Sequence, residues 1–305
     1  TKLSHEDISR FKGKIIARAG SGIDNIDWKA AIEYDKMVLT APVSISYAVA
    51  ELTILFILSL LRRYKTITSS AHPISGENLR GKTVGIIGRG HIGTLVESML
   101  NSFGCNVFVF DPAYKKSTPL EEIYKNADIL TYHVPFLPET KEMICMENID
   151  KMAKRPYIIN TSRPEIMKIE DVVDALEKGM IRGVAVDFYI PQLLNKDNVI
   201  MTPHIGASTF ESQEGVAKEI AENIIQVVEG KFSPFARTWP SWYLPAVKLH
   251  IAENSAMPTI SVPYGAYTLL VSIDILKQVI SIVERNNDGT IYAGLEKLLP
   301  KSKPM

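Results

Sequence analysis

The residues with the clearest chemical signature are Gly88-Arg89-Gly90-His91-Ile92-Gly93, which spell G-x-G-x-x-G, with Asp111 following 18 residues after the last glycine. In a strand–turn–helix setting the first glycine permits a tight turn and the second lets backbone approach a pyrophosphate. The third lets the helix pack close to its strand, and the helix N-terminus attracts the phosphates. Asp111 is then placed to accept hydrogen bonds from the ribose hydroxyls. Its charge repels a 2′-phosphate, so the pattern predicts NAD rather than NADP. Three further segments offer polar side chains at the ends of apolar runs: Asn160-Thr161-Ser162-Arg163, Asp187-Phe188-Tyr189-Ile190-Pro191-Gln192, and Thr202-Pro203-His204-Ile205-Gly206-Ala207.

The elements that must position these residues are legible around them. Short Val/Ile-rich runs at 83–87, 106–110, 129–132, 157–160, 183–187 and 198–201 read as strands, alternating with helical patterns at 91–103, 120–126, 146–153 and 169–178. The last of these helices is closed by Gly179. Repeated strand–helix units of this kind predict an α/β fold with a doubly wound parallel sheet, a Rossmann-type nucleotide domain. The glycine loop then follows the first strand and opens the first helix, and the polar segments fall at strand ends, where such sheets bind ligands. Upstream, 14–19 and 37–40 read as strands flanking a helix at 27–34, and Gly20-Ser21-Gly22 as a turn. Residues 47–64 read as an apolar helix and 65–80 as a linker containing Pro73 and Gly76.

Composition narrows the function classes. Lys+Arg and Asp+Glu are both 34, so the chain carries no global basic field for nucleic acid. The hydrophobic share of 46% and charged share of 22% suit a folded globular protein. Two cysteines, Cys105 and Cys145, exclude a disulfide framework or a Cys-rich zinc site and suit a reducing, cytoplasmic compartment. No metal is expected, and His133 is read as lining the cofactor cleft rather than as a ligand. The polar start carries no secretory apolar segment. The most apolar run, 52–61, is short of the roughly 20 residues a membrane span needs, so a buried helix and no membrane are expected.

With these segments in order, the sequence resembles the D-isomer-specific 2-hydroxyacid dehydrogenase family, and within it the 3-phosphoglycerate dehydrogenase branch. Further matching motifs are Arg18-Ala19-Gly20-Ser21-Gly22-Ile23-Asp24, Val49-Ala50-Glu51-Leu52-Thr53, and His133-Val134-Pro135 with Pro138-Glu139-Thr140; together they cover roughly 1–232. The resemblance implies a homodimeric NAD-dependent oxidoreductase acting on a small 2-hydroxy or 2-keto acid. Its nucleotide domain would span 46–206, with a smaller flavodoxin-like substrate domain built from 1–45 and 207–305. It implies that Arg163 holds the substrate carboxylate and polarises its carbonyl, and that His204 exchanges the hydroxyl proton. Asp187 would contact the nicotinamide carboxamide. His91, Ile92, Val134, Pro135, Thr140, Thr161, Ser162, Gly206 and Ala207 would line the cofactor, and Ser21 and Gly22 would offer N–H groups to the substrate. The helix over 47–61 resembles the family's dimer-forming arm.

Several positions depart from the family pattern. Gln192 stands five residues after Asp187, where the family has a glutamate paired with the histidine. An amide orients the ring without supplying charge, so Gln192 is expected to lower the His204 pKa and move the best pH for carbonyl reduction downward. The formate dehydrogenase branch shares this glutamine but has an asparagine where Ile45 stands. Pro164 replaces a glycine and restricts Arg163 to extended backbone. Relative to the family, the opening β-α-β of the substrate domain has no counterpart here. The tail from about 233, with a strand-like run at 267–273, a helical pattern at 274–285, and a turn and strand over 287–293, has none in the family. One expectation is that the tail replaces the opening unit; the alternative is a separate small regulatory or packing appendage. The departures also admit a different class, an NAD(H)-binding regulatory protein that has lost turnover.

Overall fold

The computed structural model describes residues 2–68, 70–243, 259–264 and 267–272, and these described residues fall into two compact units, one with those up to 44 and from 214 onward and one with those of 45–213. The element order is α1 (His5–Arg10), β1 (Ile15–Arg18), α2 (Trp28–Glu33), β2 (Met37–Thr40), α3 (Val43–Leu61), α4 (Tyr64–Ile67), β3 (Thr83–Ile87), α5 (His91–Ser102), β4 (Asn106–Phe110), α6 (Leu120–Asn126) and β5 (Ile129–Tyr132). It continues through α7 (Met146–Ile149), β6 (Tyr157–Asn160), α8 (Ile169–Glu177), β7 (Gly183–Val186), β8 (Val199–Met201), α9 (Phe210–Val228), β9 (Thr259–Tyr264) and β10 (Tyr267–Ser272).

In the unit of 45–213, six parallel strands form one sheet in the order β4-β3-β5-β6-β7-β8. The strand order reverses between β3 and β5, the position outside whose carboxyl ends such sheets bind ligands. Alternate residues feed two cores. Leu130, Tyr132, Ile158, Val184 and Val186 pack on one face with Ile123, Val172 and Ala175. Val84, Ile86, Ile129, Ile159 and Ala185 pack on the other with Val96, Leu100 and α3 residues Phe56, Ile57, Leu60 and Leu61. Strands covered on both faces are apolar at most positions, which is why they stand out as Val/Ile-rich runs.

Helix α3 begins at Val43, four residues before the expected start. Glu219 of α9 receives the first-turn N–H groups, at 3.1 Å from Val43 and 2.8 Å from Ser44. With this extension α3 is long and apolar enough to cross a membrane, but more than half of it is buried inside the fold. The expected linker is in part helical: Arg63 takes a left-handed φ of 52°, ending α3 and starting α4. Helix α7 is one turn, shorter than the expected 146–153, because the chain leaves it through tight turn bonds such as Met152 N–H to the Ile149 carbonyl.

In the other unit, β1 and β2 pair in parallel through α2, which is capped by the Asp27 carboxylate at the Ala30 N–H. Helix α1, unmarked in the sequence reading, opens with a reciprocal Ser4–Asp7 capping box. The Trp/Pro-rich stretch after α9 runs back along β2: Arg237 N–H donates to the Val38 carbonyl at 2.7 Å, and the Thr238 hydroxyl accepts from Val38 N–H at 2.8 Å. Trp239 and Tyr243 are buried there. The expected strand at 267–273 is present as β10, but it pairs antiparallel with β9. The expected helix over 274–285 and the turn and strand at 287–293 lie outside the described residues.

Candidate active site

The glycine loop joins β3 to α5 and has the shape its sequence demands. Gly88 has φ +96°, and a Cβ there would lie 2.5 Å from the His133 carbonyl oxygen. A Cβ on Gly93 would overlap the Gly88 carbonyl oxygen, so the helix can approach the strand only with glycine at this position. A Cβ on Gly90, the residue before α5, would meet no protein atom within 4 Å. Gly90 stands at the N-terminus of α5, whose positive dipole end favours an anion in that space. Asp111, just past β4, accepts the Arg89 N–H at 2.7 Å on one carboxylate oxygen and the Ala113 N–H at 2.8 Å on the other. Each oxygen keeps further lone-pair capacity for ribose hydroxyls. The residues present therefore fit a dinucleotide: a cradle without side chains, a helix N-terminus and a fixed acceptor.

Two loops at the neighbouring strand ends carry Arg163 and His204, and each is stapled by a buried polar side chain. Past β6, fully buried Asn160 accepts the Ser162 N–H at 2.9 Å and the Ser162 hydroxyl at 2.7 Å, and its amide donates to the Arg163 carbonyl at 2.8 Å. Arg163 has the extended backbone that a following proline enforces, φ −137° and ψ 142°. One guanidinium nitrogen donates to the Ser162 carbonyl at 2.9 Å. Past β7, Asp187 is 4% exposed and accepts three donors of the next loop. These are the Thr202 hydroxyl at 2.6 Å, Ile205 N–H at 2.8 Å and Gly206 N–H at 2.7 Å. That clamp holds His204 between its anchor points, exposed and with a left-handed φ of 58°.

Past β5, His133 stands between two threonines, with Nε2 2.9 Å from the Thr131 hydroxyl and Nδ1 3.5 Å from that of Thr161. Thr161 in turn meets the Thr53 hydroxyl at 3.3 Å, and Thr53 donates to the Val49 carbonyl at 2.8 Å. Because the Thr53 proton is used on Val49, Thr161 must donate to Thr53 and accept from His133 Nδ1–H. Nε2 then accepts from Thr131, so this network assigns the tautomer. Burial pushes the His133 pKa down to about 3, so the ring is neutral at physiological pH and a limb near neutrality in an activity profile belongs to another group. Thr140 shapes the adjoining loop through its hydroxyl, which donates to the Pro135 carbonyl at 2.6 Å and accepts from Leu137 N–H at 2.8 Å.

The unit of 45–213 thus gathers the glycine loop, Asp111, His133, Arg163, Asp187 and His204 at strand ends of one sheet. Gln192 lies in a one-turn 3-10 helix over Pro191–Leu193 and is exposed; among the described residues no hydrogen bond joins it to His204. Ser21 and Gly22 belong to the other unit, in the loop after β1 next to Gly20, whose carbonyl accepts Ala41 N–H. Asn160, Thr202 and Thr53 carry positioning roles that the motifs did not assign. Their only sequence signal is a polar residue at the end of, or inside, an apolar run.

Comparison with known proteins agrees with this geometry. Residues 56–206 match the family "D-isomer specific 2-hydroxyacid dehydrogenase, NAD binding domain". The D-3-phosphoglycerate dehydrogenase of Methanocaldococcus jannaschii is 36% identical over 273 residues, 82% of this chain and 52% of the relative. The hydroxypyruvate reductase of Thermotoga maritima is 34% identical over 74% of this chain and 81% of its own length. The crystal structure of D-lactate dehydrogenase from Aquifex aeolicus, complexed with NAD and lactic acid, superposes with a TM-score of 0.68 at 29% identity, over 75% of this chain and 80% of that one. The chain spans about half the length of the first curated relatives it matches. With this fold, these motifs and a 34%-identical relative covered over 81% of its length, the chain belongs to the D-isomer-specific 2-hydroxyacid dehydrogenase family.

Proposed function

We propose that the chain is an NAD-dependent oxidoreductase interconverting a D-2-hydroxy acid and a 2-keto acid, in the manner of 3-phosphoglycerate dehydrogenase. The observation that carries this reading is the pair of stapled loops, with Arg163 and His204 both fixed at strand ends of the sheet that bears the glycine loop. A bound nicotinamide supplies or takes the hydride. Arg163 holds the substrate carboxylate and polarises the carbonyl with its planar donor fork. His204 gives a proton to the carbonyl oxygen in reduction and takes it back in oxidation. By the family resemblance, Ser21 and Gly22 are substrate-binding residues through their backbone N–H groups. The test is NADH oxidation with phosphohydroxypyruvate, hydroxypyruvate and glyoxylate across a range of pH. Turnover with one of them is expected. Bound NADH with no oxidation by any would favour the regulatory alternative.

Gln192 makes a distinct pH prediction. The resemblance pairs this position with His204, so Gln192→Glu is expected to couple a carboxylate to the protonated imidazole and to move upward the limb on which reduction fails with rising pH. Superimposable profiles of wild type and variant would refute this role.

A homodimer through α3 is part of the same proposal. Val43, Tyr47 and Leu55 lie on one exposed face of this otherwise buried helix. Leu55→Glu is expected to convert the protein to monomer in sedimentation experiments. The free thiols Cys105 and Cys145 support a cytoplasmic setting.

A further inference from the structure

A second acidic residue stands beside the position that selects the coenzyme. Arg89, inside the glycine loop, donates its backbone N–H to Asp111, so its side chain starts next to the carboxylate that would meet the ribose hydroxyls. The guanidinium does not stay there. Its Nε pairs with the Glu97 carboxylate of α5 at 2.7 Å, and its Cζ lies 4.2 Å from the centre of the Tyr114 ring. Tyr114 is itself fixed in the turn after β4 by its N–H to the Asp111 carbonyl, at 2.9 Å. The side chains of Arg89 and Glu97 are 30% and 20% exposed, so solvent only partly screens the pair.

We propose that Glu97 is a specificity-determining residue: by holding Arg89 on Tyr114 it denies that guanidinium to a 2′-phosphate and keeps the site selective for NAD. The proposal rests on the dinucleotide reading above. An arginine at this point of the loop is the planar fork that would otherwise receive a phosphate. With Glu97 in place, Asp111, Glu97 and Arg89 sum to one negative charge, which repels a 2′-phosphate. With Glu97 neutral the three sum to zero and the fork is released. Asp111 alone would then oppose NADP.

The test measures binding of NADH, NADPH and adenosine 2′,5′-bisphosphate to wild type, Glu97→Gln, Arg89→Leu and the double variant, with thermal midpoints confirming folding. Glu97→Gln is expected to shift the NADPH-to-NADH affinity ratio about tenfold towards NADPH and to tighten adenosine 2′,5′-bisphosphate similarly, and the double variant to lose both gains. An unchanged ratio in a Glu97→Gln protein that binds NADH would overturn the proposal. So would a gain that survives Arg89→Leu, which would assign the phosphate to exposed Lys115 and Lys116 instead. If wild type binds neither coenzyme, the dinucleotide reading itself falls.

Discussion

Replacing Asp187 by alanine is expected to release the loop that carries His204. The substitution strips the acceptor from the Thr202 hydroxyl and from the Ile205 and Gly206 N–H groups in a place where water has little access. Leaving buried donors without partners costs about 3 kcal/mol, readable as a lower urea midpoint. Turnover should fall at least about a hundredfold, because a catalytic group displaced by an ångström loses that much. Asp187→Asn preserves volume but turns one acceptor into a donor facing a donor, so it should recover part of the stability and little of the activity. A variant with alanine that stays as stable and as active as wild type would show that the clamp is not what fixes His204.

Arg163→Leu is expected to lower kcat/KM for the keto acid by about a thousandfold, the scale seen when a charge-stabilising donor is removed from an active site. The loss should include a raised KM, because the carboxylate is held in ground and transition states alike. Arg163→Lys keeps the charge but not the fork, so it should retain only a small part of the rate. The staple by Asn160 makes a fold-based explanation easy to separate. That side chain bonds to the backbone carbonyl of residue 163, not to the guanidinium, so the loop should keep its shape in both variants. Equal rates for arginine and leucine would move substrate binding elsewhere.

The nucleotide unit was largely legible because its signals are local. Strands β3, β5 and β6 are largely apolar runs, and with the edge strand β4 they fall at the expected residues. Arg163 took the backbone that Pro164 dictates. What could not be read depends on partners far along the chain. The start of α3 is set by Glu219, 175 residues away, and no capping residue near Val43 announces it. Strand β9 contains Pro263, which argues against a strand in isolation, yet it pairs with β10. For the candidate site, Asp111 is expected from motif spacing, and Arg163 and His204 from the family resemblance. The contacts of Asn160, Thr53 and Glu97 were not legible, because they exist only once the chain has folded: Asn160 on the Arg163 carbonyl three residues on, Glu97 on Arg89 eight residues back, and Thr53 against Thr161, 108 residues away. Gln192 marks the reverse case, a residue singled out by its position in a motif whose hydrogen bond to His204 is not made in this structure.

The return of residues 235–238 along β2 has a consequence for how the protein is made. Strand β2 completes its hydrogen bonds with a segment about 200 residues later, as Val38 does with Thr238. A ribosome adding roughly 5–20 residues per second needs on the order of 10–40 s to cover that distance. Throughout that interval Val38 and Leu39, fully buried in the finished protein, lack one flank of their cover. The sheet around the glycine loop needs no such late arrival and can form first. Early translation products should therefore be the species most dependent on chaperones.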